Sequence, residues 1–227
     1  MPTIRHLISF SLMFSCYLVG NIFYRIKVQW INRSQPCWDH ISLLIFINHT
    51  SLFEPIFTGA FPLKLIWKTA RNFAIPGADK TLNRPLVGRF YKFFSPNMVS
   101  ISRKRDETWK KFMEISAESP MIIIAPEGRM KRPNGLDANG NPMSIRGGVV
   151  DILKNINSGN ILFAYSGGLH HVQKPGENKF SIFRTIKMNF ELIDLNSYKN
   201  QFSKDHKEFY LQVISDIENR KKMHIPT

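Results

Sequence analysis

The sequence predicts an α/β domain with a mixed, mostly parallel sheet flanked by helices, preceded by one apolar, membrane-associated N-terminal helix. Three observations predict it. Short continuous apolar runs recur at residues 41–47 (ISLLIFI), 121–125 (MIIIA) and 161–165 (ILFAY), the pattern of strands buried on both faces. Helical patterns alternate with those runs. Residues 7–23 (LISFSLMFSCYLVGNIF) carry no charged side chain.

The elements follow in order. The apolar N-terminal stretch is about 17 residues long, the lower limit for spanning a bilayer. Arg5 and His6 precede it, and Arg25, Lys27 and Arg33 follow. The denser basic flank places the rest of the chain on the cytoplasmic face. Spanning and lying in one leaflet remain equally open, and a buried core helix is the alternative. This divides the chain into an anchoring segment, 1–33, and the α/β domain, 34–227. Residues 41–47 are a strand. Pro55 suits the first turn of a helix that stops near Pro62, and residues 63–67 read as a further strand. Residues 97–102 (NMVSIS) are strand-like. Asp106 caps a helix through residue 117, with Trp109, Phe112, Met113 and Ser116 on one face. Residues 121–125 form a strand that Pro126 ends. Glycine, proline and asparagine punctuate 129–148 as a loop. A short helix (149–156) and a strand (161–165) come next. Residues 180–184 and 186–192 read as a hairpin or two strands. An amphipathic helix over 204–222 carries Phe209, Val213, Ile214 and Ile217 on one face.

The 227 residues are 43% hydrophobic and 21% charged, with a net charge of +14 and a pI near 9.9. That surplus points to an anionic partner: lipid headgroups, a phosphorylated substrate or nucleic acid. No zinc-finger or RNP-type motif supports nucleic acid. Cys16 and Cys37 form no CxxC pair, so neither a disulfide framework nor a zinc site is indicated.

His49 lies just past the end of the 41–47 strand, where α/β sheets present their crevice. Glu54 is five residues further on. On a continuous helix the two would sit about 140° apart, so they meet only across a turn. Proline after Glu54 disfavours helix there. A carboxylate on Nδ1–H fixes the tautomer and assigns the base role to Nε2.

The motifs around this pair resemble the glycerolipid acyltransferases that include lysophosphatidic acid acyltransferase. Their first motif is Asn-His, four residues, then Asp; here it is similar to Asn48-His49-Thr50-Ser51-Leu52-Phe53-Glu54. Their second motif ends in an arginine after an apolar strand, as does Val99-Ser100-Ile101-Ser102-Arg103. Their third, a strand followed by Phe-Pro-Glu-Gly-Thr-Arg, resembles Ala125-Pro126-Glu127-Gly128-Arg129. Trp67-Lys68-Thr69-Ala70 with Ile75-Pro76 matches the lysine segment between motifs one and two. Arg146-Gly147-Gly148-Val149-Val150-Asp151-Ile152 matches the glycine-led helix after motif three. The likeness spans residues 40 to 170.

The resemblance implies acyl transfer from acyl-CoA or acyl carrier protein to a hydroxyl of a lyso-phospholipid, such as 1-acyl-glycerol-3-phosphate, with His49 as base and Glu54 as its partner. It implies substrate contacts from Lys68, Arg103, Glu127, Gly128 and Arg129. Arg103 would grip phosphate in a planar fork. Glu127 would hold Arg103 or accept a hydrogen bond from an acceptor hydroxyl. The thioester is already activated, so no protein nucleophile is required; acyl-CoA or acyl carrier protein is a co-substrate, and no cofactor or metal is expected. Membrane lipids are the expected partners, nucleic acid is not, and the sequence does not set an oligomeric state. Three departures stand out: Glu54 in place of Asp, Arg129-Met130 in place of Thr-Arg, and no proline in the 161–165 strand. Another lyso-lipid or a lipid A-type acceptor is the alternative substrate, and a non-catalytic basic lipid- or nucleic-acid-binding protein the alternative class. A serine hydrolase built on Ser166 would need a helix directly after it, and Gly167-Gly168 are poor helix formers.

Overall fold

A computed structural model describes residues 3–33, 35–95, 97–102, 104–177 and 179–227. Helix α1 (Ile4–Phe23) runs directly into strand β1 (Tyr24–Trp30). Strand β2 (Ile41–Ile47) leads to a 3₁₀ helix (Glu54–Ala60) and α2 (Leu63–Arg71). Then come β3 (Ala74–Ala78), α3 (Asp79–Leu82), α4 (Pro85–Phe94), β4 (Asn97–Ile101), α5 (Glu107–Ala117) and β5 (Ile122–Ile124). The chain closes with α6 (Gly148–Asn155), β6 (Asn160–Ser166), β7 (Arg184–Asp194), α7 (Leu195–Lys199) and α8 (His206–His224).

Among the described residues the strands form one seven-stranded sheet in the order β1-β7-β6-β2-β5-β3-β4. The pairs from β6 through β2, β5 and β3 to β4 are parallel; β7 runs antiparallel to β6, and β1 parallel to β7. This is the mixed, mostly parallel sheet that the apolar runs predict. Both faces are covered. Leu43, Ile45 and Ile47 of β2 and Ile161, Phe163 and Tyr165 of β6 pack under α5, α6 and α8. Leu44, Leu162 and Ala164 pack on the other face with α1, the 3₁₀ helix and α2. Side chains alternate across a strand, so burial on both sides requires an uninterrupted apolar run.

Local chemistry explains the helix starts. Asp106 accepts the Thr108 amide at the head of α5 (3.0 Å), and Asp205 accepts Lys207 and Glu208 amides at the head of α8 (2.9 Å each). Such caps satisfy amides that the helix leaves without partners. Residues 63–67 are helix, not strand. The apolar alternation there is too short to decide, and Ile66, Thr69 and Ala70 are buried at helical spacing. Of the hairpin or two strands expected over 180–184 and 186–192, one strand forms: β7 is a single 11-residue strand that contains 186–192. Phe183, at φ +58°, breaks extended structure just before it.

Helix α1 is long and apolar enough, by length and composition, to cross a membrane. One face of it docks on the domain. Ser9 Oγ donates to Phe94 O (2.7 Å), the His6 ring packs on Trp67, and Met13 and Gly20 are buried. Glycines allow the tightest contact. A Cβ on Gly20 would meet Ile56 O of the 3₁₀ helix at 2.5 Å, and one on Gly59 would meet Asn21 Nδ2 at 2.8 Å. Residues 24–30, inside the expected anchoring segment, are woven into the sheet as β1.

Candidate active site

Parallel strands bring the carboxyl ends of β2, β5 and β6 to one edge, and the segments leaving them meet there. After β2, Asn48 adopts φ +71°, the left-handed region that asparagine tolerates better than most residues. Its Nδ2 donates to Ser166 O at the end of β6 (2.8 Å). The chain then reverses, and His49 Nδ1 lies 2.5 Å from Glu54 Oε2. Glu54 is fixed independently: its Oε1 accepts the amides of Thr50 (2.6 Å) and Ser51 (3.1 Å). The carboxylate therefore closes the turn that precedes the 3₁₀ helix and orients the imidazole at once. The two oxygens of the Glu54 side chain divide these tasks, Oε1 holding the turn and Oε2 facing the ring.

The turn is anchored from all sides. Thr50 Oγ1 accepts the Leu169 amide (2.8 Å), and Ser51 Oγ donates to Gln173 Oε1 (2.5 Å). Tyr91 of α4 donates to Leu52 O (2.7 Å). Burial and the nearby Glu54 carboxylate push the Tyr91 phenol well above its ordinary range, so it stays a neutral donor. The Lys131 amide donates to His49 O (2.8 Å), and Lys131 Nζ donates to Asn48 Oδ1 (3.2 Å).

Glu127, following β5, is 1% exposed. Its Oε2 accepts the amides of Asn48 (3.1 Å) and His49 (2.9 Å), and its Oε1 pairs with Lys221 Nζ of α8 at 2.8 Å. Its carboxylate thus sits behind the histidine, between the backbone of residues 48–49 and α8. Gly128 sits at φ +63°, where an L side chain is strained, and its neighbour across the turn is Arg146.

Other expected site residues are dispersed. Arg129 lies beside the site, but its guanidinium pairs with the buried Asp137. The Asn141 and Asn139 amides and Arg129 hold that carboxyl at about 2. Lys68 is not brought to His49. It lines a cavity of about 350 Å³ with Ile41, Ser42, Asn72 and Gly159, at the amino ends of the strands, about 20 Å away along β2 at roughly 3.3 Å per residue. Arg103 lies outside the described residues; β4 ends two positions before it, at the same edge as His49. Ser166 Oγ accepts the Gly168 amide (3.0 Å) and is fully buried, and no helix follows, so the hydrolase elbow is not formed.

Sequence reasoning missed Asn48 and Lys221. The left-handed preference of asparagine before the histidine was a usable signal for the first. Nothing local marks Lys221, which reaches the site through the packing of α8. There Arg220 bridges Glu191 (2.6 Å) and Asp216 (2.7 Å), with Tyr165 and Tyr198 donating to the same carboxylates. That buried network fixes the register of the helix, and the next residue points to Glu127.

No protein-family model matches this sequence, and no curated protein matches it. Among solved structures, the crystal structure of the 1-acyl-sn-glycerophosphate acyltransferase PlsC from Thermotoga maritima is similar to 98% of this chain and 83% of its own, with a TM-score of 0.59 and 14% identity. The likeness is one of fold: the chain shares the α/β fold of that acyltransferase over nearly its whole length.

Proposed function

We propose that this protein transfers a fatty acyl group from a thioester to the hydroxyl of a lyso-phospholipid, 1-acyl-glycerol-3-phosphate being the representative acceptor. The observation that carries this reading is the His49–Glu54 pair, 2.5 Å apart, at the carboxyl edge of a sheet shared with a known acyltransferase. With its proton on Nδ1 and Glu54 as acceptor, the ring uses Nε2 as base. Nε2 takes the acceptor's hydroxyl proton as that oxygen attacks the thioester carbonyl. The tetrahedral intermediate then collapses, the C–S bond breaks, and the imidazolium returns its proton to the departing thiolate. The products are an ester and a thiol, and no acyl-enzyme forms. A positioned base of this kind contributes about 10²–10⁴ in rate.

The donor is acyl-CoA or acyl carrier protein. Arg103, two positions after the end of β4 in the sequence, is the residue we assign to the acceptor phosphate. Lys68 has no part in the reading. Arg129 and Glu127 act by holding the loop and the histidine. The docked face of α1 favours a helix lying in one leaflet over one that spans. The basic surplus suits the anionic cytoplasmic leaflet.

His49→Ala tests the proposal. The variant should keep the parent's far-UV circular dichroism and lose thiol release from acyl-CoA with lyso-phospholipid acceptors. Turnover near the parent's would refute the mechanism.

A further inference from the structure

We infer that the loop before β7 is a second membrane-inserting element, a lip that joins the outer stripe of α1 and sets the catalytic turn against an anionic lipid surface. Its bearing on substrate access rests on the function proposed above; the docking itself does not.

The outward stripe of α1 continues through Leu18 and Ile22 to Phe23, all exposed. It does not stop at the helix end. The Phe183 amide donates to Phe23 O (2.7 Å), which places Phe180, Ile182 and Phe183 beside it. All three are exposed, Phe183 by 75%. Phe183 is held at φ +58°, a conformation that bulky residues rarely adopt. In water the structure therefore maintains an unfavourable backbone angle that leaves a phenyl ring exposed. Burial in the acyl region of a leaflet turns that exposure into a gain.

The rim carries one sign of charge. Arg184 pairs in register with Tyr24, next to Arg25, and Lys179 opens the lip. All three are exposed, and residues 22–33 and 179–187 contain no acidic side chain. Cations bordering an apolar patch match anionic headgroups around acyl chains, whereas a protein partner would need a complementary acidic ring. The lip also touches the site. The Phe180 ring lies 4.8 Å from that of Phe53, which sits between His49 and Glu54. A lipid acceptor leaving the leaflet at the lip would meet the catalytic turn without crossing water.

The test uses the full chain with vesicles of phosphatidylcholine and phosphatidylglycerol (3:1), and of phosphatidylcholine alone. Phe183→Asn, which tolerates the left-handed angle, is combined with Ile182→Ser. Flotation should show about a tenfold loss of binding to anionic vesicles, with an unchanged melting temperature. In a separate Phe183→Trp chain, the added emission should be quenched by brominated phosphatidylcholine. Acyl transfer to vesicle-embedded lyso-lipid should fall with binding, while transfer between water-soluble short-chain substrates is unchanged. Unaltered flotation, or no added quenching, overturns the inference. So does a parent chain that dimerises where the double variant stays monomeric, because a second copy would then cover the patch. If no chain transfers acyl groups, the proposed function fails, and flotation and quenching still decide the lip.

Discussion

Glu54→Gln isolates the carboxylate's electrostatic role from its structural one. Glutamine is isosteric, and its carbonyl oxygen can still accept the Thr50 and Ser51 amides that Glu54 Oε1 accepts at 2.6 and 3.1 Å. Its NH₂ group then faces His49 Nδ1 at the position now 2.5 Å away. Two donors cannot share that contact, so the imidazole must move its proton to Nε2, the atom required as base. The variant also loses the negative charge that stabilises the imidazolium. Together these remove the general-base contribution, a loss of about 10³- to 10⁴-fold in kcat, or about 4–5.5 kcal/mol at about 1.36 kcal/mol per decade. KM for both substrates should change little, because neither contact involves bound substrate. The melting temperature should stay near the parent's. The assay is spectrophotometric detection of thiol released from acyl-CoA with a lyso-phospholipid acceptor, run over both substrate concentrations. Glu54→Asp serves as control: it restores the charge but withdraws it by about 1.5 Å, one C–C bond, and should recover part of the rate. Activity of Glu54→Gln within tenfold of the parent would refute the reasoning.

Two further outcomes follow from the buried contacts. Lys221→Met takes the ammonium away from the buried Glu127 carboxyl behind the histidine; breaking a buried pair in this way removes about 3–5 kcal/mol, read as a lower melting temperature with a lower kcat. Lys221→Arg should recover both, and Lys221→Met with Glu127→Gln should lose less than the sum of the single variants. Asp137, ordinarily near 3.8, is held at about 2 in the fold, first by the Asn141 amide. Because the shift is downward, its stabilisation is present above about pH 4 and is lost as pH falls towards 2. Asp137→Asn should lower the melting temperature at pH 7 and flatten its decline across that acid window.

The sheet's centre was legible because its strands are buried on both faces, and burial of that kind writes itself as unbroken apolar runs. Strand β3 was not, since Pro76 and Gly77 lie within it. Proline is tolerated there because β3 pairs with the short β5 only at Ala74, leaving its later amides without a demand on that side. Strand β1 did carry a period-two signal in Tyr24, Ile26, Val28 and Trp30, hidden by its position as a basic flank to an apolar segment. At the site, the His49–Glu54 contact was legible because it is local: five residues and one proline define the turn. Glu127 was legible as a motif but not in its role, since only the fold shows that its carboxylate faces the backbone of His49. Lys68 misled for the opposite reason, as a lysine near the right motifs in sequence that the α2 helix carries to the far edge of the sheet.

The close seating of Gly20 on Ile56 O and of Gly59 on Asn21 gives α1 a second identity. The 3₁₀ helix it clasps begins at Glu54, so the apolar helix and the carboxylate that faces the imidazole are joined through direct backbone contact. Trimming the apolar helix to obtain a soluble enzyme would strip away the wall against which the catalytic turn is built. Conversely, were α1 seated in a leaflet as proposed, a change in packing that tilts it would reach the imidazole over a few ångströms of backbone contact. Under the proposed function, a bilayer holding α1 would be a mechanical neighbour of the reaction as well as its source of acceptor.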